Sequence, residues 1–341
     1  MKTGILLLNF GEPETPSLEA VVPYLEAIFT ANFRLEHAAD PEAGRQRARA
    51  LAERRAPDLV EDYRRMGGSP LRRQTETQAR ALESELRRRG YDCTVAVGMQ
   101  FTAPSIEESV HTLREAAVER VVGFPLYPLC GPSTTIFALE TMRRAIRAAD
   151  WPVEVVEISG WHAQRTYTRI RARAVRELCR RRGLELNDPE MQLFFSAHGT
   201  PIRYLDEGSR YDLYVRDHCA ALAAELDVVD TTLGYQNHAN RPDVEWTQPA
   251  VEEALQKVDA RAVVVVPVSF MQEQSETLVE LDLDLRERAE SLGLEFHRVP
   301  IPHDAPTFIS FLADVIEKTD TTPSLCRCRP GAFCFNHELT E

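Results

Sequence analysis

Two segments of the chain put metal-binding or proton-carrying side chains where a fold can use them, and a third offers flat faces. In Ser196-Ala-His-Gly-Thr-Pro201 a histidine directly follows an apolar run. Imidazole titrates near neutrality, so His198 can bind a divalent metal or accept a proton. A lone histidine is more often structural, but this one sits at the carboxyl end of a strand, the edge where ligands bind. Glu276, Glu280 and Asp284 recur at i, i+4 and i+8, which makes one stripe on a helix. Like charges at that spacing repel unless cations join them, and hard divalent cations prefer such oxygen ligands. The alternative is a solvated acidic face. In Gly234–Trp246, Tyr235 and Trp246 can pack on a flat ligand, while His238 and Arg241 can meet carboxylates.

Seven cysteines form a second pattern. Cys93, Cys130, Cys179 and Cys219 are scattered, whereas Cys326, Cys328 and Cys334 lie within nine residues. The first apolar run, Ile5–Leu8, lacks a basic lead-in and a cleavage site, so a cytoplasmic protein is expected, at most peripheral to a membrane. In that compartment clustered cysteines favour metal over disulfides. Structural zinc and a [2Fe–2S] cluster each take four ligands, so three thiols need a partner. His337 is one donor within reach of the tail; unliganded thiols are the plain alternative.

The elements that must position these groups are legible from periodicity. Apolar runs near Gly4–Asn9, Cys93–Met99, Arg120–Leu126, Val153–Ile158, Gln192–Ala197, Thr231–Tyr235, Ala262–Ser269 and Phe296–Pro300 read as strands. Amphipathic stretches read as helices near Ser17–Phe29, Leu71–Arg89, Ser105–Ala117, Thr134–Ala149, Gln164–Arg182, Ser209–Leu226, Pro249–Lys257, Ser275–Leu292 and Ala305–Lys318. Continuous apolar strands alternating with helices predict an α/β fold of parallel sheets covered on both faces. With 341 residues, 43% hydrophobic and 27% charged, two cores can be filled. A net charge of −13 argues against a nucleic-acid partner.

The chain also reads as duplicated. Leu6-Leu-Leu-Asn-Phe-Gly-Glu-Pro13 matches Phe194-Phe-Ser-Ala-His-Gly-Thr-Pro201 in pattern, offset by 188 residues. Pro125 to Glu140 matches Pro267 to Asp282, offset by 142, with Ser133-Thr-Thr135 opposite Ser275-Glu-Thr277. The difference of 46 implies an insertion in the first half, for which the helical stretch Arg34–Arg55 is the candidate. Two α/β halves, expected at 1–150 and 151–320 with a Cys-rich tail at 321–341, would then face a shared cleft.

In order along nearly the whole chain, these segments resemble the ferrochelatase family. The resemblance is carried by Leu6–Pro13, Gly67-Gly-Ser-Pro-Leu71, Leu126-Tyr-Pro128 with Ser133-Thr-Thr135, Ser196–Pro201, Tyr235-Gln…Trp246 and Pro267–Asp282. It implies two Rossmann-like halves around a porphyrin cleft and insertion of ferrous iron, the substrate metal, into protoporphyrin IX or coproporphyrin III in haem biosynthesis. His198 and Glu276 would face the macrocycle, binding iron or removing pyrrole protons. Glu280 and Asp284 would form the iron path. Phe10, Phe101, Tyr235 and Trp246 would line the pocket. Some members carry a [2Fe–2S] cluster on such a tail, which implies Cys326, Cys328 and Cys334 with Cys130 as fourth ligand. A monomer or homodimer is expected. The chain has Gln100-Phe101 where Arg-Tyr is frequent, Glu273-Gln274 where Asp-His is frequent, and Asn237-His238 where Ser-Arg is frequent. The competing readings are a chelatase for another tetrapyrrole or metal, and a haem- or metallophore-binding protein without turnover.

Overall fold

A computed structural model describes residues 1–35, 41–236, 244–321 and 333–334, with backbone alone at 34, 35, 41, 333 and 334. The strand β1 (Thr3–Asn9) is buried at every position. Its alternate side chains serve two faces, as a strand's period of two requires. Ile5 and Leu7 pack with Leu82 and Leu86 of α3 (Leu71–Arg88) and with Phe308 and Leu312 of α12 (Pro306–Lys318). Leu6 and Leu8 pack with Ile106 and Val110 of α4 (Ile106–Glu115) and with Leu139 and Met142 of α5 (Phe137–Ala148). Each such fully buried side chain contributes roughly 1.5–3 kcal/mol.

The second half repeats the plan. Leu193 and Phe195 of β5 (Met191–His198) pack with Ala172 and Val175 of α6 (Arg165–Arg182) and Val215 and Leu222 of α8 (Tyr211–Leu226). Phe194 turns to the opposite face, toward Val251 and Leu255 of α9 (Val251–Leu255). The remaining strands are β2 (Cys93–Met99), β3 (Arg120–Pro125), β4 (Glu154–Gly160), β6 (Thr231–Gln236), β7 (Ala262–Pro267), β8 (Glu295–Arg298) and β9 (Phe333–Cys334). The sheets run β2-β1-β3-β4-β9 and β6-β5-β7-β8, with parallel pairing throughout. Without β9, the strand orders are the same, position for position.

The inserted segment is a pair of helices, α1 (Leu18–Leu35) and α2 (Pro41–Arg65), longer than the Arg34–Arg55 stretch expected. Val21, Tyr24 and Leu25 close on Ala52, Ala56, Val60 and Tyr63 in a core of their own. Its second-half counterpart between β5 and β6 holds α7 (Ile202–Asp206) and α8.

Three expectations are corrected. β4 is hydrogen-bonded to β3, so the first sheet runs past the boundary drawn at residue 150. The last helix returns to the first half, where Arg89 donates to Asp314 at 2.6 Å, Glu317 at 2.9 Å and Ser310 at 2.7 Å. The single helix expected over Ser275–Leu292 is three pieces: α10 (Ser275–Leu278), a π-helical turn (Glu280–Leu285) and α11 (Arg286–Ser291). A second π-turn (Pro132–Ile136) stands at the matching place before α5. Such turns are rare and frequent at functional sites. No described helix is long and apolar enough to cross a membrane.

Candidate active site

The carboxyl ends of both sheets open on one cavity of about 300 Å³. The first half supplies an aromatic wall. Phe10 follows β1, Phe101 follows β2, and their rings meet edge to face at 4.7 Å. Phe101 stacks on Phe137 at 6.0 Å. Gly11, at φ +86°, turns the chain away beside Thr102, where a Cβ would lie 2.2 Å from the Thr102 hydroxyl oxygen. The inserted helices extend the wall with Tyr24, Ile28, Phe29 and Leu59.

The second half supplies the polar wall, which includes His198, Glu276 and Glu280. His198 ends β5, and its Nδ1 lies 2.6 Å from the Gly199 carbonyl oxygen. A carbonyl only accepts, so Nδ1 carries the hydrogen, and Nε2 is the ring nitrogen that can offer a lone pair. The main chain here is tied down: His198 N–H donates to Ser269 Oγ at 2.9 Å, and Tyr211 donates its hydroxyl to the His198 carbonyl at 3.1 Å. Trp246 lines the same cavity and is bridged to Pro201.

The acidic helix enters after a strap that binds the first half. Asn9 Nδ2 donates to Gln272 Oε1 at 3.0 Å, Gln272 Nε2 to Gln78 Oε1 at 2.6 Å, and Glu273 N–H to Gln74 Oε1 at 2.8 Å. Glu276 Oε2 then accepts from Gln274 Nε2 at 3.0 Å. Gln236, at the end of β6, accepts from Ser196 at 2.7 Å and donates to the Glu276 carbonyl and to Glu280 Oε2, each at 2.9 Å. Burial, followed by the charge of Glu276, holds the Glu280 carboxyl well above the usual carboxylate range.

Two expected residues stand elsewhere. Asp284 is half-exposed and pairs with Arg65 of α2 at 2.6 Å. The π-turn is the reason: Asp284 N–H reaches back five residues to the Val279 carbonyl, so the four-residue stripe does not continue past Glu280. Tyr235 lies outside the cavity lining, buried with α8, and donates its hydroxyl to Asp212. Strand alternation explains it: Gln236 serves one face of β6 and Tyr235 the other. Gln100 is committed to Ser133 and Tyr127, and Arg55 of the inserted helices brings a guanidinium to the lining. Asn237, His238 and Arg241 lie outside the described residues.

Sequence reading passed over Gln236 and Glu12. Glu12 is 4% exposed and accepts from Ser69 Oγ at 2.5 Å, Tyr63 at 3.3 Å and Ser275 Oγ at 2.5 Å. Burial first, and the charge of Glu276 second, raise its pKa to about 7. The available signal was a carboxylate in the segment equivalent to Ser196–Pro201.

Of the four expected cluster ligands, Cys130 is buried in the loop after β3. That loop holds the next one, since Trp161 and His162 N–H both donate to the Pro128 carbonyl, at 3.3 and 3.1 Å. The backbone of Cys334 pairs with Gly160 in β4, immediately before Trp161. Cys326, Cys328 and His337 lie outside the described residues. Among the described residues no group of three or more His, Cys, Asp or Glu side chains is arranged to hold a metal.

The family model Ferrochelatase matches residues 2–320. A ferrochelatase of Synechococcus elongatus is 36% identical over 333 residues, covering 94% of this chain and 84% of its own. One of Nostoc punctiforme is 35% identical over 349 residues, covering 95% and 84%. Among solved structures, SirB from Bacillus subtilis with Fe3+ aligns at TM-score 0.52 and 11% identity over 94% of this chain and 98% of its own. CbiX, described as the terminal enzyme of sirohaem biosynthesis in denitrifying bacteria, aligns at TM-score 0.53 and 15% identity over 92% and 98%. Those two likenesses bear on the fold, a two-domain α/β chelatase fold. With a family match across both halves and relatives above one-third identity over most of the chain, the protein belongs to the ferrochelatase family, enzymes that insert iron into porphyrin in haem biosynthesis.

Proposed function

We propose that His198 and Glu276 carry out insertion, with Glu280 behind them delivering ferrous iron and the Phe10, Phe101 and Trp246 side chains holding the porphyrin. The observation that carries this reading is the shared cavity: an aromatic wall from one half faces an imidazole and two carboxylates from the other. Insertion replaces two pyrrole protons with one Fe2+, so a base and a metal ligand must stand at the ring centre. The Nε2 lone pair of His198 and the carboxylate of Glu276 have those capacities. Opposed walls on separate sheets can also bend the ring and expose its nitrogen lone pairs. Asp284 marks the outer end of the iron path, where the Arg65 guanidinium competes for its carboxylate. Anaerobic mixing of the protein with Fe2+ and a porphyrin should convert the free-base absorbance to that of the haem. Binding of the porphyrin without conversion would favour a non-catalytic carrier.

The tail is proposed to hold a [2Fe–2S] cluster on Cys326, Cys328, Cys334 and Cys130. Support comes from the backbone of Cys334 running beside β4, whose following loop is hydrogen-bonded to the loop that buries Cys130. A bound cluster would cross-link the tail to the first half. Purified protein should be reddish-brown with two non-haem irons and two acid-labile sulfides per chain, as the cluster's formula requires. Colourless, active protein with stoichiometric zinc would replace the cluster with structural zinc.

A further inference from the structure

Glu12 belongs to the first half, yet its hydrogen bonds reach the catalytic segment of the second. Ser275 Oγ lies 2.5 Å from Glu12 Oε1 and 3.0 Å from Glu276 Oε2. A hydroxyl has one hydrogen to donate. Between two ionised carboxylates it can bond only one of them. Both contacts are hydrogen bonds when one carboxyl carries a proton and donates it to the Ser275 oxygen. The arrangement is therefore that of a carboxyl–hydroxyl–carboxyl chain that has taken up one of the two protons it can hold. Glu276 lines the cavity, and Glu12 stands behind it. Ser69 Oγ at 2.5 Å, Tyr63 OH at 3.3 Å and the Ser275 N–H at 3.3 Å keep the Glu12 carboxylate in place.

We propose that Glu12 is a proton-accepting positioning residue for metal insertion, receiving the first pyrrole proton from Glu276 through the Ser275 hydroxyl. Insertion starts with both carboxyls ionised: the first pyrrole N–H breaks, its electron pair stays on nitrogen, and the proton joins Glu276. Glu276 passes a proton to Ser275 Oγ as Ser275 passes its own to Glu12. Glu276 is again an anion and takes the second pyrrole proton as the two ring nitrogens close on Fe2+. Two protons leave the porphyrin and two carboxyls hold them. A single carboxylate at the cavity would have to release its proton to water between the two steps. The residue itself comes from the half that supplies the aromatic wall. This scheme rests on the reading of Glu276 as the pyrrole base.

The test is steady-state insertion by Glu12→Gln, Ser275→Ala, Ser275→Thr and the Glu12→Gln/Ser275→Ala double variant. Glu12→Gln keeps the side-chain shape, and porphyrin binding reports an intact cavity. Removing a proton relay lowers kcat by about tenfold or more, less than the roughly 100-fold loss of a direct general acid or base, while the porphyrin KM stays within about twofold. Ser275→Thr, which keeps the hydroxyl, should recover most of the loss seen in Ser275→Ala. The double variant should be no slower than the slower single, since both break one chain. Wild-type kcat in Glu12→Gln, a Ser275→Thr variant as slow as Ser275→Ala, or losses that multiply in the double variant would each overturn the relay. Glu276→Gln separates the two readings. If it retains turnover, the base assignment fails and the relay with it; if it is inactive while Glu12→Gln is wild-type, the relay alone fails.

Discussion

Phe10 and His198 occupy equivalent places, each at the carboxyl end of the second strand from the edge of its sheet and each followed by glycine. Thr134 and Glu276 are the matching residues of the other repeated segment. All four line one cavity. The first half thus presents a ring and a hydroxyl where the second presents an imidazole and a carboxylate. At these matched strand ends a flat, largely apolar macrocycle meets apolar area from one half and ionisable groups from the other. One strand order serves both purposes since the ends of strands, not the sheet interior, carry the difference.

The strongest way to break this comparison is to remove the charged pair. His198→Ala and Glu276→Gln should each lower metal insertion by about 100-fold or more, the scale of a lost general acid–base group, with porphyrin binding and circular dichroism retained. Near-normal turnover in either variant removes that residue from the chemistry. The matching change in the other half, Thr134→Val, should leave kcat within about twofold, since its hydroxyl faces only the Gly131 carbonyl at 3.5 Å among the described residues. A comparable loss there would mean that the halves divide the chemistry differently.

A smaller effect is expected at the packing wall. Phe10→Ala deletes the ring that meets Phe101 and Tyr24, and should raise the porphyrin KM by about tenfold with kcat little changed, as for uniform binding. A fall in kcat alone would show instead that the wall acts by bending the ring.

The contact of Glu12 with the second half should be visible in stability as well. Its folded pKa of about 7 lies above the usual 4.5, so the folded state holds a proton that the unfolded chain has lost. Stability therefore falls as pH rises from about 4.5 to about 7, and then levels. The Tm of Glu12→Gln relative to wild type should climb across that window; a constant difference would contradict the raised pKa. The smallest effect is expected from Arg65→Ala. Its pair with Asp284 is partly exposed, and such pairs contribute about 0–1 kcal/mol, so thermal stability should change little. Faster loading at limiting iron would sharpen the assignment of Asp284 to the metal path.

Much of this organisation is local and was open to reading. Apolar runs of strand length, the histidine at the end of Phe194–Ala197, and the doubled segments with their unequal offsets depend on neighbours within a few residues. They determined the strands, the two-fold plan and the segments that meet at the cavity. What the chain could not announce is how side chains turn once distant segments meet. Tyr235 faces α8 because β6 pairs with β5 in a register that turns Gln236 toward Ser196 and Glu280. Asp284 leaves the acidic stripe because a π-turn, not an α-turn, follows Val279. The inserted helices became a cavity wall only by packing on one another. Glu12 became a partner of Ser275 across 263 positions of sequence. Helix type, strand register and the approach of segments far apart in sequence are decided by the tertiary fold, since each depends on burial and hydrogen bonding that local composition does not encode.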